Sequence, residues 1–355
     1  MAGIDFSSLT PKNGAVQDLA ELIFLELIED DKLGQLVTFM PAQENGKKLG
    51  FVGKAGLLGK KAKGCDPEYA KNLVQASEKV WDIQEWEIAE EVCYKELEGT
   101  IADYFAANGS DMADLTSSDY MEQVIRPILE QAIRDLMIRF AFFGDKAADA
   151  SSLKAGVDPE YFTLVDGIFK QLFEGVTAGK TKRVNIDANT KTTVAAQYEA
   201  MRAPGAATGV LNKLIIDTPM KLRRMKDRVF IVTQAFADML NFDIQENNKG
   251  SELQWESIFE GIQKTNYQGI TLIAVPQFDE IIQEYLKNTT NADAYDKPFR
   301  VIYGAKGNFR VGSKSKEEVA DLKVTFDDVT RKNYIYAADT LGALVLSDEF
   351  AAVAY

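Results

Sequence analysis

The sequence predicts an α+β protein assembled around one long helix, and three observations predict it. Residues 119–144 read DYMEQVIRPILEQAIRDLMIRFAFFG, with Met121, Val124, Ile125, Ile128, Leu129, Ala132, Ile133, Leu136, Met137 and Phe140 three or four apart. That spacing lays them on one stripe of a helix. Further on, Val229-Phe230-Ile231-Val232-Thr233, Ile270-Thr271-Leu272-Ile273-Ala274-Val275 and Phe299-Arg300-Val301-Ile302-Tyr303 are largely apolar runs. Such runs suit strands covered on both faces. Between residues 44 and 63, by contrast, few side chains could fill a core.

In the long helix, Glu122, Gln123, Arg126, Glu130, Gln131, Arg134, Asp135 and Arg139 take the polar side. Ser118 is placed to cap its first turn. Gly144 is placed to close it in the left-handed region. The rod would be roughly 39 Å long, with a bend at Pro127, which lacks a backbone donor. A mean globular helix has only about 11–12 residues, so the length asks for an explanation.

The chain has 355 residues, a net charge of −14, two cysteines and no histidine. The acidic balance argues against a general nucleic-acid binder, though not against a local basic surface. Without histidine there is no Ser-His-Asp or Cys-His nucleophile and no His-ligated metal. Cys65 and Cys93 fit neither a disulfide framework nor a zinc pattern. No cofactor is implied. No signal peptide is visible, and no run approaches the roughly 18 apolar residues of a membrane span. A soluble protein made in a cytoplasm is the expectation.

Taken in order, residues 1–15 read as a polar arm. Residues 15–31 read as an acidic amphipathic helix, with Val16, Leu19, Ala20, Ile23, Leu27 and Ile28 on its stripe. Asp18, Glu21, Glu26, Glu29, Asp30 and Asp31 are unopposed by any base. Such a short helix is marginal without a partner, so docking onto its own body or a neighbour is expected. Leu36-Val37-Thr38-Phe39-Met40 reads as a strand ended by Pro41. From Glu44 to Lys63 there are six lysines (Lys47, Lys48, Lys54, Lys60, Lys61, Lys63), one acid and many glycines, a local balance of +5. This reads as a long exposed hairpin or loop that needs a surface to lie on.

Residues 80–93 read as one strand with a bulge near Gln84-Glu85, where the alternation of Trp81, Ile83, Trp86, Ile88 and Val92 changes phase. Tyr94, Leu97, Ile101, Tyr104 and Phe105 suggest a short helix before the long one. After Gly144, helices are expected over 159–173, 193–202, 206–216, 235–242 and 279–286, interleaved with the three apolar strands. Residues 255–262 read as a short helix or strand. Strands are expected at 322–326, 333–338, 341–346 and 350–355, the last ending in an unadorned VAY that suggests pairing in a sheet.

Motifs for chemistry are weak. Gly175-Val176-Thr177-Ala178-Gly179-Lys180-Thr181 ends like a phosphate loop but is one residue short between its glycines and follows a helix. The stretch from Gly53 to Lys61 fails on spacing as well. The acid pairs Glu90-Glu91 and Asp327-Asp328 read as surface features, and Trp81 and Trp86 as packing residues. The cluster Lys221, Arg223, Arg224, Lys226 and Arg228 reads either as phosphate contacts, chiefly Arg223, Arg224 and Lys226, or as a solvated turn before a buried strand.

These parts in this order resemble the major capsid protein of tailed bacteriophages, the family with the Hong Kong 97 type fold. The resemblance covers essentially the whole chain. WEIAEEVCY (86–94) looks like the peripheral strand, and residues 119–144 followed by Asp145 look like the spine helix. ATGVLNKLI (207–215), RVFIVTQAFADML (228–240) and YQGITLIAVP (267–276) look like the axial domain. It implies an N-terminal arm at 1–33, an extended loop at 34–75 and a peripheral domain with spine helix at 76–149. An axial α/β domain at 150–320 and peripheral return strands at 321–355 would follow.

The resemblance further implies a structural protein, not an enzyme, that self-assembles into hexamers and pentamers of an icosahedral head around double-stranded DNA. Implied partners are the chain itself, a portal, a scaffold, decoration proteins and non-specifically held DNA, but no membrane. The implied location is the virion, after assembly in the host cytoplasm. Some family members begin with a scaffolding segment removed by a protease. None is visible here, which implies a separate scaffold or numbering after processing. Other readings are an encapsulin-like nanocompartment shell and a His-free α/β enzyme using Lys or carboxylates.

Overall fold

The computed structural model describes residues 36–52, 76–93, 126–247, 253–259, 261–314, 323–327 and 332–355. The acidic helix expected at 15–31, the short helix after Cys93 and the first part of the long helix, with Met121 and Ile125, lie outside the described residues.

Strand β1 (Thr38–Met40) precedes an antiparallel hairpin of β2 (Lys48–Val52) and β3 (Ala76–Val80), with Lys48 opposite Val80. Strand β4 (Gln84–Cys93) then joins a different sheet. The single bulged strand expected over 80–93 is therefore two strands broken at Trp81-Asp82-Ile83. The break has a steric cause. Trp81 and Ile83 are both buried, and Gly342 lies so close that a Cβ there would sit 2.6 Å from the Asp82 carbonyl oxygen.

Helix α1 (Arg126–Ile138) runs into a π-turn at Arg139–Phe143. Pro127 is the second residue of the described helix, so the bend expected there falls at its edge. Among the described residues an irregularity lies at the other end. Phe140, Ala141, Phe142 and Phe143 are all buried, and four consecutive inward residues do not fit a 3.6-residue turn, whereas a widened turn admits them. Gly144 does not close the helix in the left-handed region, since its φ is −53° and its ψ 138°. Glycine is needed because a Cβ would collide with the Val165 carbonyl oxygen and stand 2.7 Å from that of Phe140.

The helix expected over 159–173 is also divided. A 3-10 turn at Pro159–Tyr161 precedes α2 (Ile168–Thr177), since Gly167 abuts the backbone of Phe142, leaving no room for a Cβ. Next come β5 (Lys182–Val184), α3 (Val194–Met201), α4 (Ala206–Asp217), α5 (Met220–Arg223), β6 (Arg228–Thr233) and α6 (Gln234–Asn247). They are followed by β7 (Glu256–Phe259), β8 (Ile262–Tyr267), β9 (Ile270–Val275), α7 (Pro276–Glu284), β10 (Val301–Ala305) and β11 (Phe309–Gly312). Strands β12 (Lys323–Asp327), β13 (Lys332–Val345) and β14 (Ala351–Ala354) complete the chain.

Strand β13 replaces the two strands expected at 333–338 and 341–346. The polar residues between them are absorbed rather than turned out. The Asp339 carboxylate accepts the Thr340 N–H at 2.6 Å and the Ser313 hydroxyl at 3.3 Å.

The main sheet has the order β5-β14-β10-β6-β9-β8-β7. Its two faces carry separate cores, as the apolar runs required. Val229, Ile231, Ile273 and Ile302 face α2, α7 and the end of α1. Phe230, Val232, Leu272 and Tyr303 face α4 and α6. A second sheet orders β1-β11-β13-β12, with β4 also paired along β13.

Two polar side chains, the half-buried Asp279 and the buried Arg300, tie these layers. The Asp279 carboxylate on α7 accepts the N–H groups of Gln234 at 2.5 Å and Ala235 at 3.1 Å, capping α6. Arg300 is buried with its guanidinium carbon 5.2 Å from the ring centroids of Phe143 and Phe169 and 5.7 Å from that of Phe173. It donates to the carbonyls of Lys297 and Asp296 and to the Asp296 carboxylate, each at 3.0 Å. It thereby rivets the end of the long helix and α2 to the start of β10.

Candidate assembly surfaces

The lysine-rich stretch begins on the β2–β3 hairpin. Lys47 is exposed at its base, and Lys48 pairs with Glu78 across the hairpin at 3.0 Å, both largely solvated. Lys54, Lys60, Lys61 and Lys63 lie outside the described residues.

The hairpin's root is tightly built. Trp81 exchanges backbone hydrogen bonds with its surroundings, its N–H going to the Lys47 carbonyl and its carbonyl accepting from Gly46. Its ring is buried with Ile83, Leu344 and Leu346, and Met40 and Leu49 pack on them. The ring also fills the space above Gly312, where a Cβ would stand 3.0 Å from it. The Gln43 N–H bonds to the Ser313 carbonyl, and Asn45 accepts from the Ile83 N–H. An ion pair of Lys146 with Asp82 ties the root to the chain after the long helix. Sequence reasoning took Trp81 as a packing residue and missed this root. The two glycines facing residues 81–83, Gly312 and Gly342, were its only signal.

Of the helix residues singled out, Pro127 and Ile128 lie on α1, while Leu136 and Phe140 are buried in the subunit's own core. The described stripe thus faces inward. Burial pushes the Asp135 carboxyl up and holds the Arg139 guanidinium down from its usual value. Arg139 stacks between Phe140 and Tyr161 and donates to the Tyr161 carbonyl.

On the ribbon formed by β4 and β13, Glu85, Glu87, Tyr334 and Tyr336 are exposed, with Glu91 opposite Tyr334 and Ala89 opposite Tyr336. This is an acidic, tyrosine-bearing face.

The basic turn is not one phosphate cluster. Arg223 donates to the Ile216 carbonyl at the end of α4, and Lys221 pairs with Glu349 at 2.8 Å. Arg224 and Lys226 are exposed. Lys226 belongs instead to a cleft of about 510 Å³ with Arg228, Lys264 and Lys306, floored by Val229 and Ile273. The segment 175–181 cannot cradle a phosphate, because the N–H groups of Lys180 and Thr181 are both spent on the Gly175 carbonyl. Among the described residues no group of acids and cysteines is arranged to hold a metal, and no helix is long and apolar enough to cross a membrane.

No family model and no curated protein matches the sequence. Among solved structures, the chain aligns with a chain of the satellite phage P4 procapsid that includes the size determination (Sid) protein. The alignment has a TM-score of 0.52 and 12% identity, covering 94% of this chain and 98% of that one. The fold is that of a phage procapsid chain. A chain of Mycobacterium phage Ogopogo aligns at TM-score 0.48 and 14% identity over 91% of this chain and 90% of that one. The capsid of an empty GTA particle aligns at TM-score 0.47 and 13% identity over 91% of this chain and 89% of that one.

Proposed function

We propose that this chain is a major capsid protein whose hexamers and pentamers tile an icosahedral phage head around double-stranded DNA. The observation that carries the reading is the near end-to-end likeness to a procapsid chain. In this reading residues 1–33 are an arm, 34–75 an extended loop, 76–149 a peripheral domain with its spine helix, 150–320 an axial domain and 321–355 return strands, corrected at two places: β14 belongs with the main sheet of the axial part, and β11 with the second sheet beside β13. The protein works by geometry rather than catalysis. Each subunit's loop lies on a neighbour, and many modest contacts add through high effective concentration. Portal, scaffold and decoration proteins are its further partners, packaged DNA is held non-specifically, and the host cytoplasm is the place of assembly.

The test is electron microscopy of the purified chain, expressed alone and together with a candidate scaffold protein, with nucleic acid and protein contents measured. Closed icosahedral particles or procapsids support the reading. Shells that hold cargo enzymes and never DNA would instead mark a nanocompartment, and a homogeneous small oligomer under every condition sinks both.

A further inference from the structure

The cleft on the main sheet has no role in the shell reading. It gathers Lys226 and Arg228 at the start of β6, Lys264 on β8 and Lys306 after β10, with Asp227 and Glu256 beside them. The two acids are engaged at home. Glu256 pairs with Lys264 at 3.3 Å, and Asp227 accepts the Gly307 N–H at 3.3 Å. Among the described residues neither Lys226 nor Lys306 forms an ion pair. Among the described residues the concavity therefore carries a net positive charge beside Val229 and Ile273, in a chain of net charge −14.

What precedes β1 supplies the complement. Strand β1 lies parallel to β11, Thr38 opposite Arg310, and packs against the Lys306–Asn308 turn. The chain thus enters the described fold beside one wall of the cleft. Between Lys12 and Lys32 it carries six carboxylates and no base, ending in Glu29-Asp30-Asp31. The five residue steps from Asp31 to Leu36 can span about 17 Å when extended, which reaches across a site of this size.

We propose that the cleft seats the chain's own acidic N-terminal segment, with Glu29, Asp30 and Asp31 entering among Lys226, Arg228 and Lys306. A nucleic-acid backbone is the poorer occupant. The segment is tethered beside the cleft and meets it at high effective concentration, which a free nucleic acid does not. The volume suits a few side chains rather than a whole helix, so the remainder of the segment lies outside it.

The test uses the full-length chain, unassembled and dilute, as an equal mixture of natural-abundance and 15N-labelled protein. A carbodiimide joins carboxylates to amines in contact, and mass spectrometry identifies the linked peptides. The expected result is a linkage from Glu29, Asp30 or Asp31 to Lys226 or Lys306 within one isotopic chain. Its yield should fall about tenfold between low salt and about 1 M salt, as screening shortens the reach of exposed charges. A variant with Lys226→Glu and Lys306→Glu, checked for folding by circular dichroism, should lose any linkage to Lys264.

Linkage only between chains of different isotope overturns the proposal in favour of a neighbour's segment. Absence of linkage overturns it outright. If the unlinked chain binds duplex DNA and the double variant does not, the cleft is a phosphate site. The measurement is made on the single chain, so its outcome is independent of whether the protein forms shells.

Discussion

Replacing Arg300 by methionine tests whether the charge buried between the long helix and the main sheet stabilises the subunit or burdens it. The guanidinium donates three hydrogen bonds at 3.0 Å, two to main-chain carbonyls and one to Asp296. Removing it leaves those carbonyls short of a donor, at about 1–3 kcal/mol each, and forfeits cation–π attraction worth about 2 kcal/mol in a desolvated site. Two effects reduce the loss. Asp296 is not stranded, because the Lys297 ammonium stands 2.7 Å away, so the full penalty of about 3–5 kcal/mol for a broken buried pair does not apply. Methionine also returns sulfur–aromatic contact of about 0.3–1.5 kcal/mol, and burial already pulls the Arg300 pKa down.

The carbonyl and cation–π losses less the methionine contact come to about 3–8 kcal/mol, and relief of the cation's desolvation brings the expected destabilisation to the lower end of that range. Urea unfolding of the unassembled subunit, followed by circular dichroism, reads it as a lower midpoint at unchanged slope. Arg300→Lys should recover less than half, because lysine keeps the charge but not the planar fork. A methionine variant as stable as the parent, or more so, would refute the reasoning. It would show that desolvating the cation outweighs everything the cation binds.

Other outcomes can be stated more briefly. Burial pushes the Asp279 carboxyl from 3.8 up to about 7, outweighing the two N–H donors that favour its charged form. The folded chain then keeps a proton that the unfolded chain has released. Stability should fall as pH rises from about 4 to about 7 and level off above, and Asp279→Asn should flatten that slope in a pH series of melting curves. Gly312→Val forces a Cβ to within about 3.0 Å of the fixed Trp81 ring, an overpacking of about 1–3 kcal/mol. Amide exchange at Lys48–Val52 should quicken by about tenfold or more, and unchanged exchange would mean the root does not hold the hairpin. If the loop lies on an acidic neighbour, changing Lys47, Lys48, Lys54, Lys60, Lys61 and Lys63 together to Gln should weaken shells, most visibly at low salt. Pro127→Ala should alter shell size or stability if the bend serves both ring types, and particles of the parental diameter and melting behaviour would dismiss that role.

What could be read from the sequence follows from how local its causes are. Strands β6, β9 and β10 are continuous apolar runs whose character survives any neighbourhood, and their two-sided burial followed from it. The π-turn, the division around Phe162–Gly167 and the break at Trp81-Asp82-Ile83 arise from backbone brought close from elsewhere: Val165 on Gly144, Phe142 on Gly167, Asp82 on Gly342. A glycine in a sequence announces a constraint but not its partner, and Gly144 was read as a turn former when it is a point of contact. The same holds for the surfaces. The lysine run was visible as composition, while the cleft joins side chains from positions 226 to 306 that only the sheet order β10-β6-β9-β8-β7 sets side by side. Arg223 and Lys226, close neighbours in the sequence, were separated by it.

Strand β14 pairs with β10 on one side and β5 on the other, inside the main sheet, yet it is synthesised after the other six strands. On the ribosome the sheet must therefore wait with an unfilled slot, its β5 and β10 edges bare. Such edges are templates for stray strands from other chains, and pairing between distant segments is slow to form. Four small apolar residues, Ala351, Ala352, Val353 and Ala354, are what fill the gap between β5 and β10. A polysome crowded with copies of this protein is a place where that lateness is dangerous, and a chaperone that shields the slot until residue 354 has emerged would act on the most vulnerable interval of the molecule's life.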